Sequence, residues 1–162
     1  MDTSDVLRLQ VLMRSKDWAS VYSMLDDARS RAVTRDDMKQ EVYWRATALE
    51  NEQRYAEALN LLQTNTGLAN SMSLWSHQIA CLLVKLDRDK DAVDELSKAP
   101  IEEEMKDHYG LAIDAKFFYL YLLAKNGDPS VRDRLVEIPD DYRYITMEGQ
   151  FLTKADIIAL LR

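Results

Sequence analysis

Apolar residues recur along this chain at the spacing of a single helix face. Val42, Ala46 and Leu49 stand three and four apart, and Tyr55, Ala58, Leu59 and Leu62 follow the same rule after a short polar break. This is the 3.6-residue period of amphipathic helices. The pattern also repeats on a longer scale. Ala46 and Leu49 return as Ala80 and Leu83, and Ala58 and Leu62 as Ala92 and Leu96, each 34 residues on. Upstream, Leu9, Leu12, Trp18, Val21 and Leu25 fall on Ala46, Leu49, Tyr55, Ala58 and Leu62 at a spacing of 37. The extra residues fit in the polar connection RSRAVTRDD, where Thr34 and Asp37 have the spacing of an N-terminal capping box. Downstream, Val131 and Leu135 match Ala92 and Leu96 at a spacing of 39, and Asp128 and Pro129 mark a helix start just before them.

A repeated small residue has a physical use. It lets two helix backbones approach closely while a large residue on the partner helix fills the gap beside it. Neither helix of such a pair can bury its whole apolar face alone, so successive pairs stack into a continuous core. The spacing therefore predicts an all-α domain over residues 1–139 built from about four antiparallel helix pairs, at 2–35, 39–70, 73–100 and 101–139. Residues 140–162 break the pattern and are expected to cap its end. Apolar and β-branched residues on either side of Glu148-Gly149 allow a short hairpin. Thr153 and Asp156 then have the spacing to cap a last helix, KADIIALLR.

The chain resembles the tetratricopeptide repeat, whose period is 34 residues with two antiparallel helices per unit. The matching positions are Ala46 or Ala80 and Leu49 or Leu83 on first helices, and Trp18 or Tyr55 and Ala58 or Ala92 on second helices. Val42 and Ser76 stand where the family has a tryptophan, and no glycine follows the first-helix leucine. The resemblance implies a right-handed α-solenoid whose first helices line a concave groove that binds ligands. Its groove positions are Val6, Leu7, Gln10 and Met13, then Tyr43, Trp44, Thr47, Glu50 and Asn51, then His77, Gln78, Cys81 and Lys85. Tyr43 and Trp44 stand out, because Ala46 and Leu49 already account for the packing stripe. Trp44 has two readings, an anchor in the groove or a core residue against the neighbouring pair. Family members that grip the C-terminal carboxylate of heat-shock chaperones use Lys, Asn and Arg at positions that here hold Val6, Gln10, Trp44, Leu74 and Gln78. That clamp is not expected here.

Composition narrows the functional class. With 47% hydrophobic and 30% charged residues but only four glycines and three prolines, the chain has the make-up of a soluble helical protein. A net charge of −7 disfavours non-specific binding to nucleic acid or anionic membranes. The single cysteine, Cys81, permits no internal disulfide. The acidic start MDTSDVLRLQ lacks a signal-peptide pattern, and a cytoplasmic location is expected. There is no glycine-rich phosphate loop. Cys81 reads as a buried structural thiol. Glu104 and His108 have metal-ligand spacing beside Asp107, but they read more simply as part of an acidic helix start after Pro100.

These readings lead to a non-catalytic protein-binding module without cofactor or metal. Its expected partner is a peptide or amphipathic helix, with a basic one favoured by charge complementarity, held by Gln10, Met13, Tyr43, Trp44, Thr47, Glu50, Asn51, His77, Gln78 and Lys85. An adaptor, a dedicated chaperone and an inhibitor all fit that description. The alternative is a self-assembling, homodimeric structural subunit.

Overall fold

The computed structural model describes residues 1–161. Among them are ten α-helices and a two-stranded antiparallel sheet, arranged in two compact bodies, residues 1–70 and the residues from Ser71 onward.

In the first body, α1 (Thr3–Arg14) pairs with α2 (Trp18–Arg31), and α3 (Arg35–Asn51) pairs with α4 (Tyr55–Thr64). The Thr34–Asp37 capping box is formed at the start of α3. Leu9, Val21 and Leu25 share one core with Ala48 of α3, which ties the two pairs together. A polar seam adds to this join. Glu41 of α3 is buried and accepts from Arg29 of α2 at 2.9 Å and from Arg45 on its own helix, while Arg45 reaches back to Asp26 at 2.8 Å. A buried carboxylate is tolerable only when paired in this way.

In the second body, α5 (Met72–Lys85) pairs with α6 (Asp89–Lys98). The chain then forms α7 (Ile101–Asp107) and reverses at His108 into α8 (Tyr109–Lys125). The acidic segment is thus a short helix of its own, folded against α8, with Glu102 bound to the ammonium of Lys116 at 2.8 Å. Ala115, Lys116, Phe117 and Phe118 are all buried. Four consecutive residues sweep a full turn of helix, so α8 has no solvent face at that level. Its cover comes from α5, α6 and α7 and from the C-terminal elements: α9 (Val131–Arg134), β1 (Tyr144–Ile145) and α10 (Lys154–Leu160). β1 pairs with β2 (Phe151–Leu152), Tyr144 opposite Leu152 and Ile145 opposite Phe151, around a turn with Gly149 at φ +77°. The helix expected after Asp128-Pro129 lasts four residues before tightening into a 3₁₀ turn at Leu135–Glu137. Pro139 explains the stop, since the residue before a proline is pushed out of the helical region.

The eight small and large residues at the 34-residue spacing are all buried. The turns between paired helices repeat as well. Lys16, Gln53, Asp87 and Gly127 each take a left-handed conformation, φ +58°, +61°, +58° and +77°. In each turn the left-handed residue's N–H donates three residues back. The next N–H donates five back, to the carbonyls of Leu12, Leu49, Leu83 and Leu123 at 2.8–3.0 Å. This pair of bonds is the Schellman helix stop, and the same leucine position accepts in all four.

Left-handed geometry is costly for residues with a Cβ, by about 1 kcal/mol. Gln53→Gly should therefore raise the unfolding free energy by up to ~1 kcal/mol, and Gly127→Ala should lower it by about the same. Urea denaturation of the two variants checks both signs. Nothing lies within 4 Å of a Cβ added at Gly127, so a loss there reports backbone strain and not a clash.

Candidate functional site

The positions expected to line a groove on α1 and α3 divide by exposure. Gln10 and Met13 are half-buried, and Met13 packs against the Leu9–Val21–Leu25–Ala48 core. Trp44 packs on that same core, which favours the second of its two readings, while its ring meets Tyr43 edge-on at 5.3 Å. Tyr43 is 39% exposed. Burial of the rest of its ring, and then the charge of Glu50, raise its hydroxyl pKa above the ordinary tyrosine range. Thr47 donates to the Tyr43 carbonyl at 3.0 Å, and the Asn51 amide donates to the Thr47 carbonyl at 2.8 Å. Both residues are thereby held along one side of α3. Tyr43, Thr47 and Asn51 form a run at i, i+4 and i+8.

On α5 the corresponding run is engaged by the chain itself. Tyr144 of β1 is 2% exposed, with its ring parallel to Phe117 and Phe118 at 5.2 and 5.7 Å. It meets His77 edge-on at 5.6 Å and shares a hydrogen bond with His77 Nε2 at 2.8 Å. Cys81 Sγ lies 3.6 Å from that nitrogen and 3.7 Å from the tyrosine oxygen. Farther along, Lys85 forms an ion pair with Glu148 in the hairpin turn. Gln78, one residue after His77, is half-buried. Tyr144 and Glu148 are the contacts that the helical pattern did not reveal. Alternation around Glu148-Gly149 announced a hairpin, but nothing local signalled that it would lie on α5.

Glu104 and His108 are not brought together as ligands. The Glu104 carboxylate turns to the start of α5, accepting from Ser71 Oγ at 2.5 Å and from the N–H groups of Met72 at 2.9 Å and Ser73 at 3.2 Å. Burial works against its ionisation, but these hydrogen bonds outweigh it and hold the pKa below the ordinary carboxylate value. Among the described residues no group of three or more His, Cys, Asp or Glu is placed to hold a metal ion, and no helix is long and apolar enough to cross a membrane. An open cleft of about 990 Å³ lies between the hairpin, α8 and the α5–α6 turn. Its walls carry charges that pair with one another: Lys85 with Glu148, Lys125 with Asp89 at 2.6 Å, and Arg88 with Asp91 at 2.6 Å.

The hairpin seat has a pH signature. Desolvation lowers the His77 pKa from 6.5 to about 4, opposed only in part by the Asp114 carboxylate. The unfolded chain therefore binds a proton more readily than the folded one between these values. Stability from this residue is complete above pH 6.5 and is lost as pH falls towards 4, by up to about 3 kcal/mol. His77→Gln keeps an acceptor for Tyr144 and removes the titration. The difference in unfolding free energy between the two proteins should thus shrink or reverse between pH 7 and pH 4.5, and a constant difference would contradict this account.

Compared with family models, with curated proteins and with solved structures, the chain gives no match, so its functional reading rests on its own residues.

Proposed function

We propose that the chain is a non-catalytic protein-binding module of the tetratricopeptide-like type, built from stacked helix-pair repeats, which takes a peptide or helix of a partner along its first helices. The observation that carries this reading is the outer side of α3. Tyr43 stands there with much of its ring in solvent, braced edge-on by Trp44, in a helix whose packing residues are already buried elsewhere. A rigid, partly exposed aromatic ring is the type of side chain that anchors an interface. The repeated Schellman turns and the buried alanine and leucine positions support a repeat scaffold, whose usual role is to present such a face. The acidic balance of the chain favours a basic or amphipathic partner.

A second reading, self-association through residues 140–152, has its own observation. Ile145 and Phe151 lie directly opposite each other in the hairpin and are 59% and 64% exposed. Light scattering over a dilution series separates the two: a monomer is expected, and a dimer that is lost in Phe151→Ser would favour the hairpin.

Affinity capture from the native lysate with wild type and Tyr43→Ala tests the first reading. Tyr43 is the cleaner position, because truncating Trp44 would also cost core packing, on the order of 3 kcal/mol. Proteins retained by wild type should be lost with Tyr43→Ala while the circular dichroism spectrum stays unchanged. An identical captured set would overturn the assignment of the face.

A further inference from the structure

We infer that the outer side of α3 receives a strand-and-turn segment of a protein partner that lays an aromatic ring against Tyr43 and places a neutral or basic side chain beside Asn51. The inference rests on the protein-binding reading of that face and takes its chemistry from the chain's own complex on α5. The 34-residue spacing sets Tyr43, Thr47 and Asn51 in register with His77, Cys81 and Lys85. On α5 that run is filled: Tyr144 sits edge-on against His77 with its hydroxyl over Cys81, and Glu148, four residues later, meets Lys85. Eight residues of helix advance ~12 Å, and on α5 that run is met at its two ends by Tyr144 and Glu148, four residues apart across a strand end and a turn. One aromatic and one polar group four apart on a strand-and-turn segment can therefore contact both ends of the run.

The α3 run keeps the geometry and changes the chemistry. Tyr43 supplies a ring in the place of the imidazole, so an edge-to-face contact is retained. Thr47 spends its one hydroxyl donor, and Asn51 one of its two amide donors, on backbone carbonyls of α3, and both side chains keep an acceptor oxygen. Lys85, the cation that neutralises Glu148, is replaced by the uncharged Asn51. A carboxylate at the fourth position would lose the cation that Lys85 provides on α5, whereas a lysine or an amide would find the Asn51 side-chain oxygen as an acceptor, in a chain of net charge −7. The hairpin of this chain is not itself the occupant, because Tyr144 is fixed in the α8 aromatic stack.

The test uses the full chain, ¹⁵N-labelled, and three synthetic peptides: residues 142–151, the same segment with Glu148→Lys, and that second peptide with Tyr144→Ala. The lysine peptide should shift amide signals of α3 and bind roughly 3-fold more tightly than the native segment. Removing its tyrosine, or using Tyr43→Ala protein, should weaken it roughly 5-fold. Asn51→Lys protein should reverse the preference towards the native glutamate peptide, because it recreates the cation of α5. Shifts centred on His77 and Lys85, indifference to Tyr43→Ala, or no lysine preference would overturn the inference. Loss of lysate capture in Tyr43→Ala without peptide binding would sink this proposal while leaving the protein-binding role standing.

Discussion

Four left-handed residues set the geometry on which the rest of this protein depends. At Lys16, Gln53, Asp87 and Gly127 a helix ends in the same pair of hydrogen bonds, with a leucine carbonyl as the common acceptor. Such a stop does more than terminate a helix. It fixes the direction in which the chain leaves, and so the angle at which the following segment returns. With that angle repeated, α4 packs back on α3 and α6 on α5, and Ala46, Ala58, Ala80 and Ala92 are all buried in these pairs. The equivalence of Tyr43 with His77 is one of residue spacing, 34 positions apart at the period of the repeat.

α8 imposes the second constraint. A helix buried on all sides at Ala115–Phe118 needs neighbours on all sides, and helix pairing supplies only part of them. The remainder comes from chain that is poor in helix: the short α9, the 3₁₀ turn and the hairpin. Lys116 shows how strictly this cover is built. Its ammonium is buried, and the two carboxylates that neutralise it, Glu102 and Glu137, come from segments on either side of α8 in the sequence. Removing one carboxylate leaves the buried ammonium with half its compensation. Tyr144 is the apolar counterpart. It completes the Phe117–Phe118 stack, and in doing so it lies on α5 and closes the side of that helix.

How much of this is readable in the residues follows from the range of each interaction. The helix pairs are legible because Ala46, Leu49, Ala58 and Leu62 recur with one period, and packing stripes are local patterns. The stops are not, because three of the four left-handed positions hold Lys, Gln and Asp, and only Gly127 carries the glycine that normally marks such a turn. Trp44 was open to two readings because an aromatic residue adjacent to a packing stripe sits at its boundary; the core beneath it includes Leu9 and Leu25, which belong to another helix pair. The contact of His77 with Tyr144 spans 67 residues and leaves no periodic trace. Glu104 shows the same limit from the other side. Its spacing to His108 suggested a shared ligand, whereas its partners are hydrogen-bond donors at Ser71–Ser73, more than thirty residues upstream.

The two exposed-phase runs, read together, say more than either alone. A helix side that is buried by the chain's own hairpin is a binding surface whose ligand happens to be covalently attached. It shows which contacts that register can make: an edge-on ring, a hydroxyl between polar atoms, and an ion pair two turns along. On α3 the same register keeps an aromatic residue where packing has no need of one, and replaces the cation by an amide. Were α3 merely a solvated helix, its outward side would favour charged residues in place of a half-exposed tyrosine braced by a tryptophan. Under the proposed binding role, the tyrosine makes sense on a surface covered for part of the time, and the exchange of Lys85 for Asn51 argues against a copy of the acidic hairpin turn as what covers it. In that reading the difference between Lys85 and Asn51 is the most specific feature the chain offers for recognition.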